Sequence, residues 1–578
     1  MKRFLTLLLM VFLVVGMADA QNDMRKRFEE RRARQRERYE QKRSEQQKKF
    51  DEFRRKRNAR YVEQLSKPWK QYTVTEVLEE STKKDSVALK KYQAEILNPQ
   101  FEANAFGEIT LDVTTPLPTK NDTLAVIKID TVIVVDSVSD LERLIEDIRL
   151  QVSQRKNDTV ISVVDTTVVN VLDTTQLEIK VEEVINIVDR PQPQPSVNIE
   201  PLEDEIDMVS IALYGTLVSI PFPQDADLQL PSVDEYGISN LWGQIADTTA
   251  VPTKFDITIT SCLQHRTNMK LCDWAYIRMI QSVAKKRYGN TNEATIFTAY
   301  IMAESGYKVR LAYQEDVVFI MFASHHELYK LLRIMIEDEF YYILDYRVAG
   351  EFFISNVGYE GEQRFSLLIA DEQKVDYELS DTIAATSFKG STLTRQVNMN
   401  LIHFYEDYPS GKLYNGDENS KWLIGAKTPL DSIAKSTFYP QVRELVNGLT
   451  TWQAVGKILE WMQSGLKYGY DDEIWGRDRM FFPSETLYYP YADCEDKAIL
   501  FSAVVRDVLD LDVLLLYWDE PVGHLATAIN FPIVEGNAEY VMYNDKKYVI
   551  CDPTCHYAPV GRRGPSYRGY TPKIMVID

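Results

Sequence analysis

The chain has 578 residues, 45% of them hydrophobic, and a formal net charge of −20 from 66 Lys and Arg against 86 Asp and Glu. This apolar content excludes a wholly disordered chain, and the length predicts three or four domains. The acidic balance argues against a nucleic-acid-binding function, and five cysteines are too few for a disulfide scaffold.

The first segment has the pattern of a secretory signal peptide, residues 1–20. Lys2 and Arg3 precede an apolar run at residues 5–15, and Ala18-Asp19-Ala20 forms a cleavage signal. The run is too short for a transmembrane helix, and no later stretch is long enough. We therefore expect an exported protein, periplasmic or extracellular, with no transmembrane segment after cleavage.

Residues 21–66 form the second segment, predicted to be a basic helix. From Met24 to Tyr61 there are 17 Lys and Arg against 7 Asp and Glu. Phe28, Tyr39, Phe50 and Tyr61 recur every 11 residues and so share one face of a helix. The two interpretations are a solvated, charged helix, or a contact face of residues 24–61 for an anionic envelope surface or weak coiled-coil self-association.

Residues 67–200 are predicted to be a low-complexity linker. Asp-Thr pairs followed by Val recur, as at Asp130-Thr131-Val132 and Asp158-Thr159-Val160. Pro191-Gln192-Pro193-Gln194-Pro195 is typical of a stiff, extended spacer. We interpret the segment as a disordered or loosely β stalk, with a small β domain as the alternative.

The last segment, residues 435–578, carries the candidate chemistry. A helical series from Trp452 to Leu466 follows Thr450, a capping residue. A second series begins at Cys494, so its thiol lies at a helix N-terminus, where the dipole favours a thiolate. Three strands are predicted next, with His524 beginning the second and Asp552 ending the third. The acidic neighbours Glu495 and Asp496 oppose a thiolate, so a nearby base is needed.

Three motifs of this segment resemble the transglutaminase-like superfamily. They are Asp493-Cys494-Glu495-Asp496-Lys497-Ala498, Gly523-His524-Leu525-Ala526-Thr527-Ala528 and Ile550-Cys551-Asp552-Pro553-Thr554, in that order, within roughly a quarter of the chain. The resemblance implies an α+β, papain-like core, in which a helix carrying Cys494 packs on an antiparallel sheet carrying His524 and Asp552. The resemblance also implies that Cys494 is the nucleophile, His524 the general base and acid, and Asp552 the residue that orients the imidazole. The superfamily includes cross-linking transferases, peptidases, deglycosylating enzymes and inactive members, so the reaction stays open.

An internal repeat predicts that this core is duplicated. Residues 294–313 align with residues 498–517 without a gap, and 6 of the 20 positions are identical. The offset of 204 places Asn290 opposite Cys494 and Ile320 opposite His524, neither of which can act as nucleophile or base. Tyr341 to Asp345 resembles Tyr548 to Asp552 at a slightly different offset. Residues 201–349 are therefore predicted to be a degenerate copy, and residues 350–434 a β-rich connection, with strands at 352–354, 365–369 and 397–404.

The functional expectation is an exported cysteine hydrolase or acyltransferase that acts on a protein or peptide through Cys494, His524 and Asp552. The alternative is a non-catalytic envelope protein that uses these folds for binding. No cofactor is expected, apart from a weak signal for calcium in the acidic residues beside Cys494. The spacing also suggests Cys262–Cys272 and Cys551–Cys555 pairs, with five reduced cysteines as the alternative.

Overall fold

The computed structural model describes residues 48–74, 206–247, 253–328, 331–359, 361–409, 411–413, 421–475, 479–519 and 522–577, with short pieces at 41–42, 45, 125–127, 161–163, 178–181 and 184–186. The predicted signal peptide and most of the predicted linker therefore lie outside the described residues, as does most of the first half of the predicted basic helix. No helix within the described ranges is long and apolar enough to cross a membrane.

The fold is mixed α+β. Its first unit has helices at 48–65, Glu235–Ala246, Asp256–Asn268, Asp273–Tyr288 and Asn292–Glu304. A hairpin joins β6 (Ile206–Leu213) to β7 (Thr216–Pro223). A six-stranded sheet has the order β1 (Lys70–Val74), β13 (Gly350–Ile354), β8 (Val309–Gln314), β9 (Val317–Ala323), β12 (Glu339–Ile343), β11 (Arg333–Ile336).

The second unit has helices at Ser432–Leu445, Thr451–Gly465, Asp471–Ile474, Pro483–Tyr488 and Cys494–Leu509. Its seven-stranded sheet has the order β4 (Glu178–Ile179), β21 (Tyr540–Tyr543), β22 (Lys546–Cys551), β20 (His524–Ile529), β19 (Val513–Trp518), β23 (Lys573–Val576), β5 (Val184–Asn186). In this order, each pair of adjacent strands from β21 to β23 is antiparallel. The two short edge strands pair in parallel, β4 with β21 and β5 with β23.

The second sheet is strongly curled, as its own connectivity requires. Its edge strands β4 and β5 are six strand spacings apart, which would be about 29 Å across a flat sheet. The chain from Ile179 to Val184 spans at most about 17 Å when fully extended. The two edges must therefore approach each other, and residues 178–186, from within the predicted linker, bridge them.

The central strands of the two sheets follow one another in the same chain order. In the first, Gln314 faces Val317 across a two-residue turn. In the second, Trp518 faces His524 across a turn that is three residues longer. The offset of 204 therefore holds up to this turn and becomes 207 after it. Val317, and not Ile320, consequently has the register position of His524.

The connection between the units is less β-rich than the sequence indicated. It has strands at Gly350–Ile354 and Gly411–Leu413 and a hairpin of Ile383–Thr386 with Thr392–Arg395. Residues 365–369, predicted as a strand, form only an isolated bridge at Phe365. Residues 397–404, predicted as a strand, lie mostly in the helix Met399–Asp407, which Asn398 caps. A second helix, Lys421–Lys427, also lies within the segment that was predicted to be β-rich. All five cysteines are buried and unpaired, so neither suggested disulfide is formed.

The last turns of the basic helix are part of the first unit and not a solvated rod. Arg54 is 3% exposed and forms ion pairs with Asp256 at 2.6 Å and with Glu304 at 2.9 Å. Arg57 reaches the same Glu304 at 2.7 Å. Tyr61, one of the 11-residue aromatic series, packs at 4.9 Å on the Trp242 ring. Charge pairing and aromatic packing therefore fix residues 48–65 to the core, and β1 then joins the sheet edge.

Replacing Arg54 with Met is expected to lower the free energy of unfolding by about 3–5 kcal/mol. The substitution leaves two buried carboxylates, Asp256 and Glu304, without their main countercharge. Urea unfolding followed by circular dichroism measures the effect. Arg55→Met is the matched control, because Arg55 is exposed on the same helix turn. Equal midpoints for the two variants would contradict a structural role of the buried pair.

Candidate active site

Cys494 is the first residue of the helix Cys494–Leu509. The carboxylates of Asp493 and Asp496 each accept a hydrogen bond from the other residue's backbone N–H, and this capping box fixes where the helix begins. The side chain of Cys494 is nearly buried, at 8% exposure. The predicted helix start and the position of the thiol on it therefore agree with the structure.

The thiol is held in its neutral form. Burial raises the pKa of Cys494 well above its ordinary value, and the negative charges of Glu495 and Asp493 raise it further. The thiol donates a hydrogen bond to Glu495 Oε2 at 3.1 Å. The backbone N–H of Leu525 acts in the opposite direction and favours the thiolate. Desolvation and acidic neighbours thus outweigh the helix dipole in this geometry.

His524 and Asp552 form a buried, hydrogen-bonded pair. The His524 Nε2 lies 3.0 Å from Asp552 Oδ2, and both side chains are fully buried. The other Asp552 oxygen accepts hydrogen bonds from Thr554 N at 2.9 Å, Thr554 Oγ1 at 2.6 Å and Cys555 N at 3.2 Å. Burial opposes ionisation of Asp552, but its interaction with His524 and the hydrogen bonds from the Thr554 and Tyr567 side chains hold its pKa below the ordinary value. Asp552 is therefore a charged, immobile partner for the imidazole.

The three predicted residues converge from a helix and two adjacent strands. His524 begins β20, and Asp552 directly follows β22, its neighbour in the sheet. The helix that starts at Cys494 packs on β20, and the thiol contacts the backbone of Leu525, the residue after His524. The imidazole of His524 contacts Asp552 through Nε2.

Tyr567 is a site residue that the sequence did not reveal. Its hydroxyl donates a hydrogen bond to Asp552 Oδ2, and its ring lies 4.8 Å from the His524 ring and 4.5 Å from the Trp518 ring. Tyr567 lies in a short 3-10 turn, 15 residues beyond Asp552. No local spacing rule links it to the other motifs, so only the fold could place it.

Lys497 is a second unforeseen site residue. It is fully buried, and its Nζ donates to Leu466 O at 2.7 Å. Burial lowers its pKa to about 7, although attraction to Asp552, Asp493 and Asp496 opposes this shift. Lys497 thus ties the helix that begins at Cys494 to the end of the helix Thr451–Gly465.

Lys497→Met is expected to change how stability depends on pH. The depressed pKa means that the unfolded chain binds this proton more tightly than the folded protein does. The wild type should therefore lose stability relative to the variant as the pH falls from about 10 to about 7, by an amount on the order of 4 kcal/mol. Urea unfolding at both pH values measures this difference. The uncharged variant also loses the hydrogen bond to Leu466, but that loss does not depend on pH.

Carboxylates cluster around the helix start. In the described ranges, candidate ligand atoms lie within 4.8 Å of one another in two groups, Asp493-Cys494-Glu495 and Asp471-Asp493-Asp496. Asp496 Oδ1 already accepts the Phe481 N–H at 2.8 Å. The backbone N–H of Phe481 is therefore already engaged by this carboxylate. The calcium interpretation stays a prediction.

The first unit has a different chemistry at the corresponding place. Asn292 begins its helix, and Asn292 Oδ1 accepts the Val318 N–H at 2.9 Å. Val318 has the register position of Leu525, whose N–H contacts the Cys494 thiol. Asp345 follows β12 as Asp552 follows β22, and it is paired with Arg278. These are polar, structural contacts without a nucleophile.

No family model, no curated protein and no solved structure matches this chain.

Proposed function

We propose that this protein is an exported, transglutaminase-like cysteine hydrolase that acts on peptide or amide bonds through Cys494, His524 and Asp552. The observation that carries the proposal is the His524–Asp552 hydrogen bond of 3.0 Å, formed at the start of the strand whose backbone contacts the Cys494 thiol. A buried carboxylate that orients an imidazole beside a thiol at a helix N-terminus suits nucleophilic catalysis.

In the proposed reaction, His524 takes the thiol proton as the Cys494 sulfur attacks the carbonyl carbon of the substrate. The imidazolium then gives this proton to the leaving amine as the C–N bond breaks, which leaves a thioester on Cys494. Water attacks the thioester, His524 accepts its proton, and the acid is released as the proton returns to sulfur. The negative charge of Asp552 stabilises the imidazolium in both halves. An amine in place of water would give acyl transfer.

Trapping of the acyl-enzyme tests this proposal. Incubation with a p-nitrophenyl ester should add one acyl group to Cys494, seen by mass spectrometry of its peptide. Cys494→Ala should abolish both this adduct and the turnover of the ester. Added cadaverine reports on the acceptor, because an amide product indicates transfer and a free acid indicates hydrolysis. Turnover that survives in Cys494→Ala would contradict the proposal.

The two units are further proposed to be copies of one papain-like core. The support is that the central strands occur in the same order in both sheets, with matching antiparallel pairs on either side of a turn of different length. The offset of 204 before the turn places Asn290 opposite Cys494, and the offset of 207 after it places Val317 and Asp345 opposite His524 and Asp552. The copy would thus retain the acid and lack the nucleophile and the base.

A second candidate function is non-catalytic binding in the cell envelope. The observation that favours it is the buried, neutral state of the Cys494 thiol beside two carboxylates. This candidate predicts binding to an envelope component that survives Cys494→Ala and weakens when residues 21–47 are deleted. Residues 48–65 are kept in that deletion, because they are docked on the first unit.

A further inference from the structure

Glu495 accepts a hydrogen bond from Cys494, the residue whose sulfur is the nucleophile in the proposed function. The thiol donates to Glu495 Oε2 over 3.1 Å. Glu495 is itself 6% exposed, so little water screens its charge. The two residues are adjacent at the helix start, and the capping box holds the backbone that carries them. The contact is therefore part of the local fold.

This hydrogen bond exists only while the sulfur keeps its proton. A thiolate cannot donate, and it would lie beside a buried carboxylate of like charge. The backbone N–H of Leu525 acts in the opposite direction, because it favours the thiolate. The titratable groups around the pair come from two helices, the residue that caps one of them and two strands: Asp493, Asp496, Lys497, Tyr468, Asp471 and His524. Three of the six are carboxylates, so the surroundings reinforce the effect of Glu495.

We propose that Glu495 is a catalytic residue that holds the Cys494 thiol protonated in the resting protein, so that reaction begins when the thiol turns from Glu495 to His524. The inference rests on the proposed function for one step, the transfer of the thiol proton to His524. A substrate that enters between the two side chains would break the Glu495 contact and leave His524 as the proton acceptor. An exported thiol would thereby be protected from alkylation and oxidation until substrate binds.

Iodoacetamide alkylation of the full-length protein tests the inference, because the thiolate displaces iodide and forms an S–C bond. The rate at Cys494 is followed against pH by mass spectrometry of its peptide, which separates it from the other cysteines. Glu495→Gln keeps the size and an acceptor oxygen but removes the charge. It should react about tenfold faster than wild type or more at pH 7, with its pH profile shifted to lower pH by at least about one unit.

Two variants control for charge and for packing. Glu495→Asp keeps the charge and should stay within about threefold of the wild-type rate. Glu444→Gln removes an exposed charge in the same unit and should have no effect. If Glu495→Gln does not fold, Glu495→Ala serves as the second neutral variant, with the same expected acceleration.

Neutral variants that react at the wild-type rate or more slowly would overturn the inference. An Asp variant that reacts as fast as the neutral one would also overturn it, because looser packing and not charge would then expose the thiol. Acylation of His524→Ala separates this inference from the proposed function. If acylation is unaffected in His524→Ala while Glu495→Gln accelerates alkylation, the proposed base is wrong and the restraint by Glu495 stands.

Discussion

His524→Ala is expected to slow the acylation of Cys494 by a p-nitrophenyl ester at pH 7 by about 10²–10⁴-fold. The reason is the neutral state of the thiol. Burial and the charges of Glu495 and Asp493 raise its pKa well above the ordinary value, so almost no thiolate exists at pH 7. Attack then requires a base that takes the proton as the S–C bond forms.

Single-turnover mass spectrometry of the Cys494 peptide measures this rate. His403→Ala is the matched control, since His403 is exposed on the helix Met399–Asp407. Its acylation rate should equal that of the wild type. Equal rates in His524→Ala and the control would mean that another group takes the proton, and Glu495 would become the first residue to substitute.

Asp552→Ala is expected to cost about 3–5 kcal/mol of stability, the largest loss from one substitution in the second unit. The carboxylate accepts hydrogen bonds from Thr554, Cys555, His524 and Tyr567, all of them buried. Each buried donor left without an acceptor costs about 1–3 kcal/mol, although such losses do not simply add. Urea unfolding of the full chain, followed by near-ultraviolet circular dichroism, measures the shift.

The pH dependence identifies the charge as the cause. A carboxyl group whose pKa is lowered on folding contributes stability above its unfolded pKa of about 3.9 and loses it as the pH falls. The difference between wild type and variant should therefore be full at pH 7 and shrink below about pH 4. Asp512→Ala is the control, because its ion pair with Lys546 is exposed and worth at most about 1 kcal/mol. A difference that stays constant with pH would contradict this account.

Local sequence determined the elements that carry the candidate site. The apolar spacing after Cys494 predicted a helix beginning there, and Thr450 caps the helix Thr451–Gly465 as expected. The strand that begins at His524 and the strand that ends just before Asp552 were also predicted from residue type. These predictions succeeded because capping bonds and hydrophobic periodicity act within a few residues of the chain.

Local patterns failed where distant contacts overrode them. The basic helix looked solvated, yet Arg54 meets Asp256 and Glu304 about 200 and 250 residues away. The two turns differ by three residues, so Val317 and not Ile320 has the register position of His524, which an ungapped alignment cannot show. Residues 397–404 suited a strand, but Asn398 caps a helix here, and Tyr405 of that helix stacks on Phe482 of the second unit.

The sequence by itself determined which residue types stand at the candidate site and which element carries each. Only the tertiary structure decided the state of those residues: the neutral thiol, the charged Asp552, and the roles of Tyr567 and Lys497. Burial and charge from residues far apart in the chain set a protonation state, and both appear only when the sheet and helices come together.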